Sequence, residues 1–254
     1  MSNIPYRMTV SPDFTPDHIS GWFIFNTWLQ KALGLGIHLE LYDSFSSQRR
    51  AIIENEIDLI YANPYDASML VREKGFQPVA RPSQYSDEAI IAVNKGYHAH
   101  QIEDLIKGLT IAATDDPDVN LICEIMLEPA GINIKNIKKI NIGSYPLVAK
   151  ALIQHKADLG FFLHDAYSSL SSLTKRQLRT LVSSEIQVIH HVLMVGPRLV
   201  TIKDALREAL TGMIERPKGA GVLKAMNFTA WDAMENEEME FMIDLMDTLS
   251  YQPE

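Results

Sequence analysis

The chain has 254 residues, 46% of them apolar and 22% charged, and 23 basic against 32 acidic side chains leave a formal charge of −9. This is the composition of a globular protein, and it excludes a nucleic-acid binder, because no basic surplus exists to neutralise phosphates. A single cysteine, Cys123, excludes an intrachain disulfide and a cysteine zinc cluster, and no apolar run approaches the ~18 residues that would span a bilayer, so no integral membrane protein is expected.

Tyr6 to Val10 alternates and predicts a strand. Thr15-Pro16-Asp17 supplies an N-cap, an N1 proline and an early acid, and Trp22, Phe25, Leu29 and Ala32 follow at spacings of three and four. Together they predict a helix that buries one aromatic face. Trp22 reads as core within that stripe. Ile37, Leu39 and Leu41 alternate with His38, Glu40 and Tyr42 as a second strand, Ser47 opens a helix through Glu54, and Asp58 to Ala62 is a third strand.

The same order then recurs. Leu109 to Ala113 predicts a strand, Asp116-Pro117 caps a helix running to about Gly131, and Lys138 to Ile142 is the next strand. Tyr145 to His155 follows as a helix and Asp158 to Leu163 as the last strand. Residues 51–61, AIIENEIDLIY, align without gaps on residues 151–161, ALIQHKADLGF. Two α/β lobes of one parallel-sheet topology are therefore expected, each Rossmann-like. Glu88 to Asn94 and Val188 to Val195 are apolar, strand-like segments placed where the chain would cross between lobes and return, a two-segment hinge. Helices over Ile202 to Met213, Gly219 to Met226 and Asn236 to Leu249 complete the first lobe, with Met239, Met242 and Met246 as a core stripe. The lobes are drawn as residues 1–90 plus 194–254 and residues 91–193.

In open parallel α/β sheets, ligands sit beyond the carboxyl ends of the strands, where helix N-termini point. Two such edges facing one another would form a cleft closing on a small polar solute. The residues placed there are Ser11 and Ser46 as a floor, and Tyr61, Asn63 and Tyr65 from the first lobe. The second lobe adds Thr114, Asp115, Asp118, His164 and Tyr167. Tyr61 and Tyr65 read equally well as core, and Asp116 as a plain helix cap. Neither His98/His100 nor His190/His191 has metal-ligand spacing with a carboxylate beside it, and no G-x-S-x-G, P-loop or G-x-G-x-x-G occurs. No catalytic residue, metal or cofactor is expected.

Residues 33–70, LGLGIHLELYDSFSSQRRAIIENEIDLIYANPYDASML, and residues 102–132, IEDLIKGLTIAATDDPDVNLICEIMLEPAGI, carry a family resemblance. So do residues 151–167, ALIQHKADLGFFLHDAY, and residues 207–228, REALTGMIERPKGAGVLKAMNF. In order and spacing this resembles the phosphate/phosphonate-type substrate-binding proteins of ABC transporters, which have the type 2 periplasmic-binding-protein fold. The resemblance implies a non-catalytic protein, a phosphate- or phosphonate-like solute and an ABC transporter permease as partner. It also implies a periplasmic location if a signal peptide has been removed; a native start at Met1 would imply the cytoplasm.

One stretch departs from the family. Where the family has a Ser/Thr-rich turn ending in glycine, this chain reads Thr114-Asp115-Asp116-Pro117-Asp118-Val119-Asn120. A phosphonate there would meet like charge, about 4 kcal/mol of repulsion at roughly 4 Å and an effective dielectric near 20. Three ligand readings follow: an anion held by Ser44, Ser46, Ser47 and Arg49; a cationic ligand neutralised by Asp115, Asp116 or Asp118 with Trp22, Tyr61 and Tyr65 as aromatic faces; or a degenerate cleft. A cytosolic enzyme or a ligand sensor on the same two-lobe fold is the alternative function.

Overall fold

The computed structural model describes residues 5–13, 18–106, 108–132 and 137–250. The expected cap at Thr15-Pro16-Asp17 lies outside the described residues. The chain divides into two compact units, residues 1–85 with 190–246 and residues 86–189 with 247–254.

The first stretch holds β1 (Tyr6–Val10), α1 (Ile19–Leu33), β2 (Ile37–Leu39), α2 (Phe45–Ile53), β3 (Leu59–Ala62) and β4 (Gln77–Pro82). Next come β5 (Ala89–Asn94), β6 (Thr110–Ala113), α3 (Pro117–Met126), β7 (Lys138–Asn141), α4 (Tyr145–Ile153) and β8 (Leu159–Leu163). After them stand α5 (His164–Ser168), α6 (Ser172–Lys175), β9 (Leu178–Ser183) and β10 (Val192–Val195). The chain closes with α7 (Lys203–Thr211), α8 (Gly219–Met226), β11 (Trp231–Ala233) and α9 (Asn236–Ser250).

The sheet of the first unit runs β11-β4-β10-β3-β1-β2, and that of the second β7-β6-β8-β5-β9. In each, the first predicted strand lies between the second and third and is parallel to both. An antiparallel strand then flanks the third: β10 on β3, β5 on β8. The sheets are thus mixed rather than wholly parallel. The two segments expected as a hinge are these antiparallel strands, β10 between β3 and β4 and β5 between β8 and β9. Their apolar sequence reflects an interior place in a sheet covered on both faces. The chain passes between units at residues 85/86 and 189/190, not at 90/91 and 193/194, which would cut both strands midway.

Strand β4 carries Pro78 and Pro82 and has no strand signature, yet it pairs on both sides. Its register with β10 shifts between Leu193 and Met194, opposite Pro78, and this irregularity accommodates a residue that cannot donate to the ladder.

Helix α1 buries Trp22, Phe25, Asn26 and Leu29 and ends at Gly34, whose φ of 67° is the left-handed cap that stops it. Ala32, expected on the buried stripe, is exposed, and Asn26 takes the place beside Phe25, donating Nδ2–H to the Ile37 carbonyl at 3.1 Å. The first unit's two cores show the alternation of β3 directly. Leu59 and Tyr61 join Phe25, Leu29 and Leu206 on one face, and Ile60 and Ala62 join Leu70, Met239, Met242 and Ile243 on the other. The methionine stripe of α9 is core, as the spacing implies.

The internal repeat has a physical basis. Asp58 and Asp158 occupy equivalent positions just before β3 and β8. Asp58 Oδ2 accepts from the Arg7 amide and from Arg198 Nη1, each at 3.0 Å, while its own amide donates to the Arg7 carbonyl at 2.9 Å. Asp158 Oδ2 accepts from the Thr110 amide at 2.8 Å, and its amide donates to the Thr110 carbonyl at 2.8 Å. Each aspartate therefore clamps the entry of the third strand to that of the first. Asp58→Ala is expected to lower the unfolding free energy by about 2 kcal/mol, because the Arg7 amide and the Arg198 guanidinium lose a buried, charged acceptor. Urea denaturation measures this, and a loss below about 0.5 kcal/mol would show the clamp to be idle.

Candidate functional site

Each unit brings candidate residues together at the carboxyl end of its parallel strands. In the first, β1 runs into Ser11 and β3 into Asn63. The Asn63 amide donates to Ser11 Oγ at 2.7 Å, the Ser11 amide to the Tyr61 carbonyl at 2.9 Å, and the Tyr65 amide to Asn63 Oδ1 at 2.9 Å. Ser11 and Asn63 are fully buried and bind the two loops to one another. Asn63 Nδ2 also donates to Asp13 Oδ2 at 2.9 Å, and the same oxygen lies 2.8 Å from His191 Nε2.

Asp13 and His191 lie outside the set of ligand contacts expected from sequence. They are separated by 178 positions, and no local signal links them. Burial works to raise the Asp13 carboxyl, but the His191 ring beside it and the hydrogen bonds from His191 and Asn63 outweigh this and hold it below the usual carboxylate range.

Beneath this polar run lies an aromatic floor. Tyr61 stacks on His191 at 5.1 Å and packs against Trp22 at 4.7 Å and Phe228 at 5.9 Å. Trp22 and Tyr61 are buried members of the core, which settles Trp22 as core rather than as a ligand face. Tyr65 is exposed, and the Arg49 guanidinium sits over its ring at 5.3 Å. Arg49 Nε in turn donates to Asp66 Oδ1 at 2.6 Å.

The serines at the start of α2 form a closed group. Ser44 caps the helix by accepting from the Ser47 amide at 3.3 Å, and the Ser44 hydroxyl lies 3.2 Å from that of Ser46 and 2.6 Å from that of Ser47. Ser47 Oγ donates to Asp43 Oδ1 at 2.9 Å, which puts a carboxylate among hydroxyls that an anion would need. Ser46 remains exposed.

In the second unit, β6 leads through Thr114 into α3. Asp116 stands at the N-cap position, but its carboxylate makes no cap hydrogen bond; Tyr145, the first residue of α4, donates its hydroxyl to Asp116 Oδ2 at 2.6 Å. Plain capping is therefore not the role of this side chain. The turn is held instead by Asn120 Nδ2, which donates to the Thr114 carbonyl at 2.9 Å. Burial first, then the adjacent Asp116 carboxylate, pushes the Tyr145 hydroxyl well above its usual range, so it stays a donor at neutral pH.

Tyr145 is a further residue absent from the sequence-derived set, although its loop is at the expected strand edge. Its ring stacks on Phe162 at 6.0 Å, and Phe162 meets Tyr167 edge-on at 5.3 Å. Asp118 is buried, whereas Asp115 and His164 are exposed and Thr114 and Tyr167 half-buried. His164 Nδ1 lies 3.5 Å from Asp165 Oδ1 at the end of β8.

Two α/β units of matching strand order, each with hydroxyl, carboxylate and imidazole groups at the carboxyl edge of its sheet, define the class of two-lobed solute-binding proteins with the type 2 fold. The family model described as "ABC transporter, phosphonate, periplasmic substrate-binding protein" matches residues 8–239, and the chain belongs to that family.

Solved structures agree on the fold. PhnD1 from Prochlorococcus marinus (MIT 9301), in complex with methylphosphonate, is 14% identical with a TM-score of 0.81, over 96% of this chain and 97% of that one. A binding protein component of an ABC phosphonate transporter from Pseudomonas aeruginosa is 15% identical with a TM-score of 0.77, over 96% and 88%. The alkanesulfonate-binding protein SsuA from Xanthomonas axonopodis pv. citri, bound to MOPS, is 16% identical with a TM-score of 0.66, over 98% and 94%. No curated protein sequence matches the chain. Among the described residues, no helix is long and apolar enough to cross a membrane.

Proposed function

We propose that this chain is the solute-receiving component of an ABC importer, working in the periplasm with a permease partner, and that its ligand is a small organic phosphonate. It binds and releases the solute without chemical change. Membership of the phosphonate-type family over residues 8–239 carries this reading. Exposed or half-buried Ser46, Tyr65, Thr114, Asp115, His164 and Tyr167 supply the ligand contacts, while buried Ser11, Tyr61, Asn63 and Asp118 hold the loops that present them. The acidic turn favours a phosphonate that also bears an amine, since Asp115 opposes a bare anion and attracts an ammonium.

A thermal-shift and calorimetric panel of methylphosphonate, aminoalkylphosphonates, phosphate, sulfate and simple amines tests the reading. A ligand at about 1,000 times its Kd adds about 4 kcal/mol, a rise in Tm of several degrees. The Tyr65→Ala/His164→Ala double variant is expected to keep the Tm of the free protein and lose the shift. Stabilisation by amines alone would replace the phosphonate assignment with a cationic ligand, and silence across the panel would overturn the binding role.

A further inference from the structure

A second surface of the first unit lies between α1 and α8. Gly21 brings the two helices close, for a Cβ placed on it would fall 2.2 Å from the Ala225 carbonyl oxygen. Farther along, a groove of about 460 Å³ opens between them, lined by Phe23, Ile24, Trp28, Val222, Gly221 and the two lysines Lys31 and Lys218. Phe23 and Ile24 are 49% and 47% exposed, an apolar pair that a lone surface helix has no reason to present to water. A Cβ on Gly221 would meet nothing within 4 Å, so no steric demand explains a glycine inside this helix. Its effect is to keep the groove floor open, against a helix-propensity cost of about 1 kcal/mol.

The charge around the groove is the reverse of the chain's. Neither ISGWFIFNTWLQKAL of α1 nor GAGVLKAM of α8 contains an acid, in a protein of net charge −9. The matching surface is in the same chain. Helix α9, NEEMEFMIDLMDTLS, contains five acids and no base. Among the described residues, Arg72 neutralises Glu240 and Asp244, at 3.3 and 2.9 Å, and Glu237 and Glu238 make no ion pair with it. Its buried side is Met239, Met242, Ile243 and Met246, and its outer side presents Phe241, 62% exposed, one turn from Glu237 and Glu238. An apolar groove with a lysine rim and a phenylalanine flanked by Glu237 and Glu238 are complementary in polarity and sign.

We propose that the α1/α8 groove receives Phe241 of a second copy of this chain, with Lys31 and Lys218 facing the acids of the partner's α9. The contact is heterologous, because groove and knob are different patches. It is independent of the solute and of the importer assignment.

Sedimentation equilibrium tests it through two variants that truncate or reverse only exposed side chains. Wild-type mass is expected to rise above the monomer as concentration increases towards ~1 mM, and less so in high salt. Phe241→Ala, which lacks the knob, and Lys31→Glu/Lys218→Glu, which lacks the rim, are each expected to stay monomeric with unchanged circular dichroism. Mixed in equal amounts they are expected to form a dimer and nothing larger, since one intact groove and one intact knob remain between them. A monomeric wild type, a variant that associates alone, or a mixture that stays monomeric or grows past the dimer would each overturn the proposal. An anionic lipid vesicle that binds a monomeric wild type would assign the groove to an amphiphile instead.

Discussion

Gly219→Ala is expected to destabilise the protein by about 3 kcal/mol, the upper end of what overpacking by one methyl costs. A Cβ at this first residue of α8 would fall 1.7 Å from the Met213 carbonyl oxygen, a backbone atom that no rotamer change can move. The helix start or the preceding turn must shift, and buried Val222, Leu223 and Met226 would shift with it. Gly21→Ala is expected to follow in the same direction, with its 2.2 Å approach to Ala225. Gly221→Ala has the opposite expected sign, a gain of about 0.5–1 kcal/mol from helix propensity alone. Denaturant midpoints of the three variants check the set, and equal midpoints would mean that the helices relax freely and that close packing of α1 on α8 is unimportant.

Acidification from pH 6.5 to 4 is expected to remove about 3 kcal/mol of stability through His190. This residue is 7% exposed, and its Nδ1 has no hydrogen-bond partner among the described residues. Burial, and then the Arg81 guanidinium, lower its pKa from 6.5 to about 4, with the His191 ring acting in the same direction. Folded protein therefore keeps the ring neutral in a range where the unfolded chain takes up a proton. The contribution is intact above pH 6.5 and is lost progressively as pH falls towards 4. The Asp13 carboxyl, held below its usual range, contributes above the ordinary carboxylate pKa and is lost only at lower pH, so the two windows separate. His190→Gln should flatten the Tm profile between pH 6.5 and 4.5 while leaving the steeper loss below it. An unchanged profile in that variant would assign the acid sensitivity to other groups.

The repeated strand–helix order was legible because each element announces itself locally, by alternation in β1 and β2, by continuous apolar runs in β3 and β8, and by the Trp22, Phe25, Leu29 stripe of α1. Asp58 and Asp158 could be aligned by eye, since one physical task, clamping two strand entries, kept one residue type in both places. The antiparallel strands were visible as apolar runs but not placeable, because apolarity reports coverage and says nothing of neighbours. Strand β4 was invisible behind Pro78, whose lost donor is absorbed by a register shift in β10 that only the paired strand reveals.

The candidate site divides along the same line. Ser11, Asn63, Thr114 and His164 stand at strand ends, and strand ends can be counted from sequence. Asp13 with His191, and Asp116 with Tyr145, are pairings of residues 178 and 29 positions apart, and no periodicity encodes them. Sequence by itself determined the two α/β halves, their internal repeat and the family to which the chain resembles and belongs. Tertiary structure alone decided which glycines tolerate a methyl group, that Asp116 accepts from a tyrosine instead of capping α3, and where an acid-free groove lies in an acidic protein. The physical reason is range: helix and strand signals arise between residues a few positions apart, whereas burial, charge pairing and steric contact are set by atoms that meet only when the chain has folded.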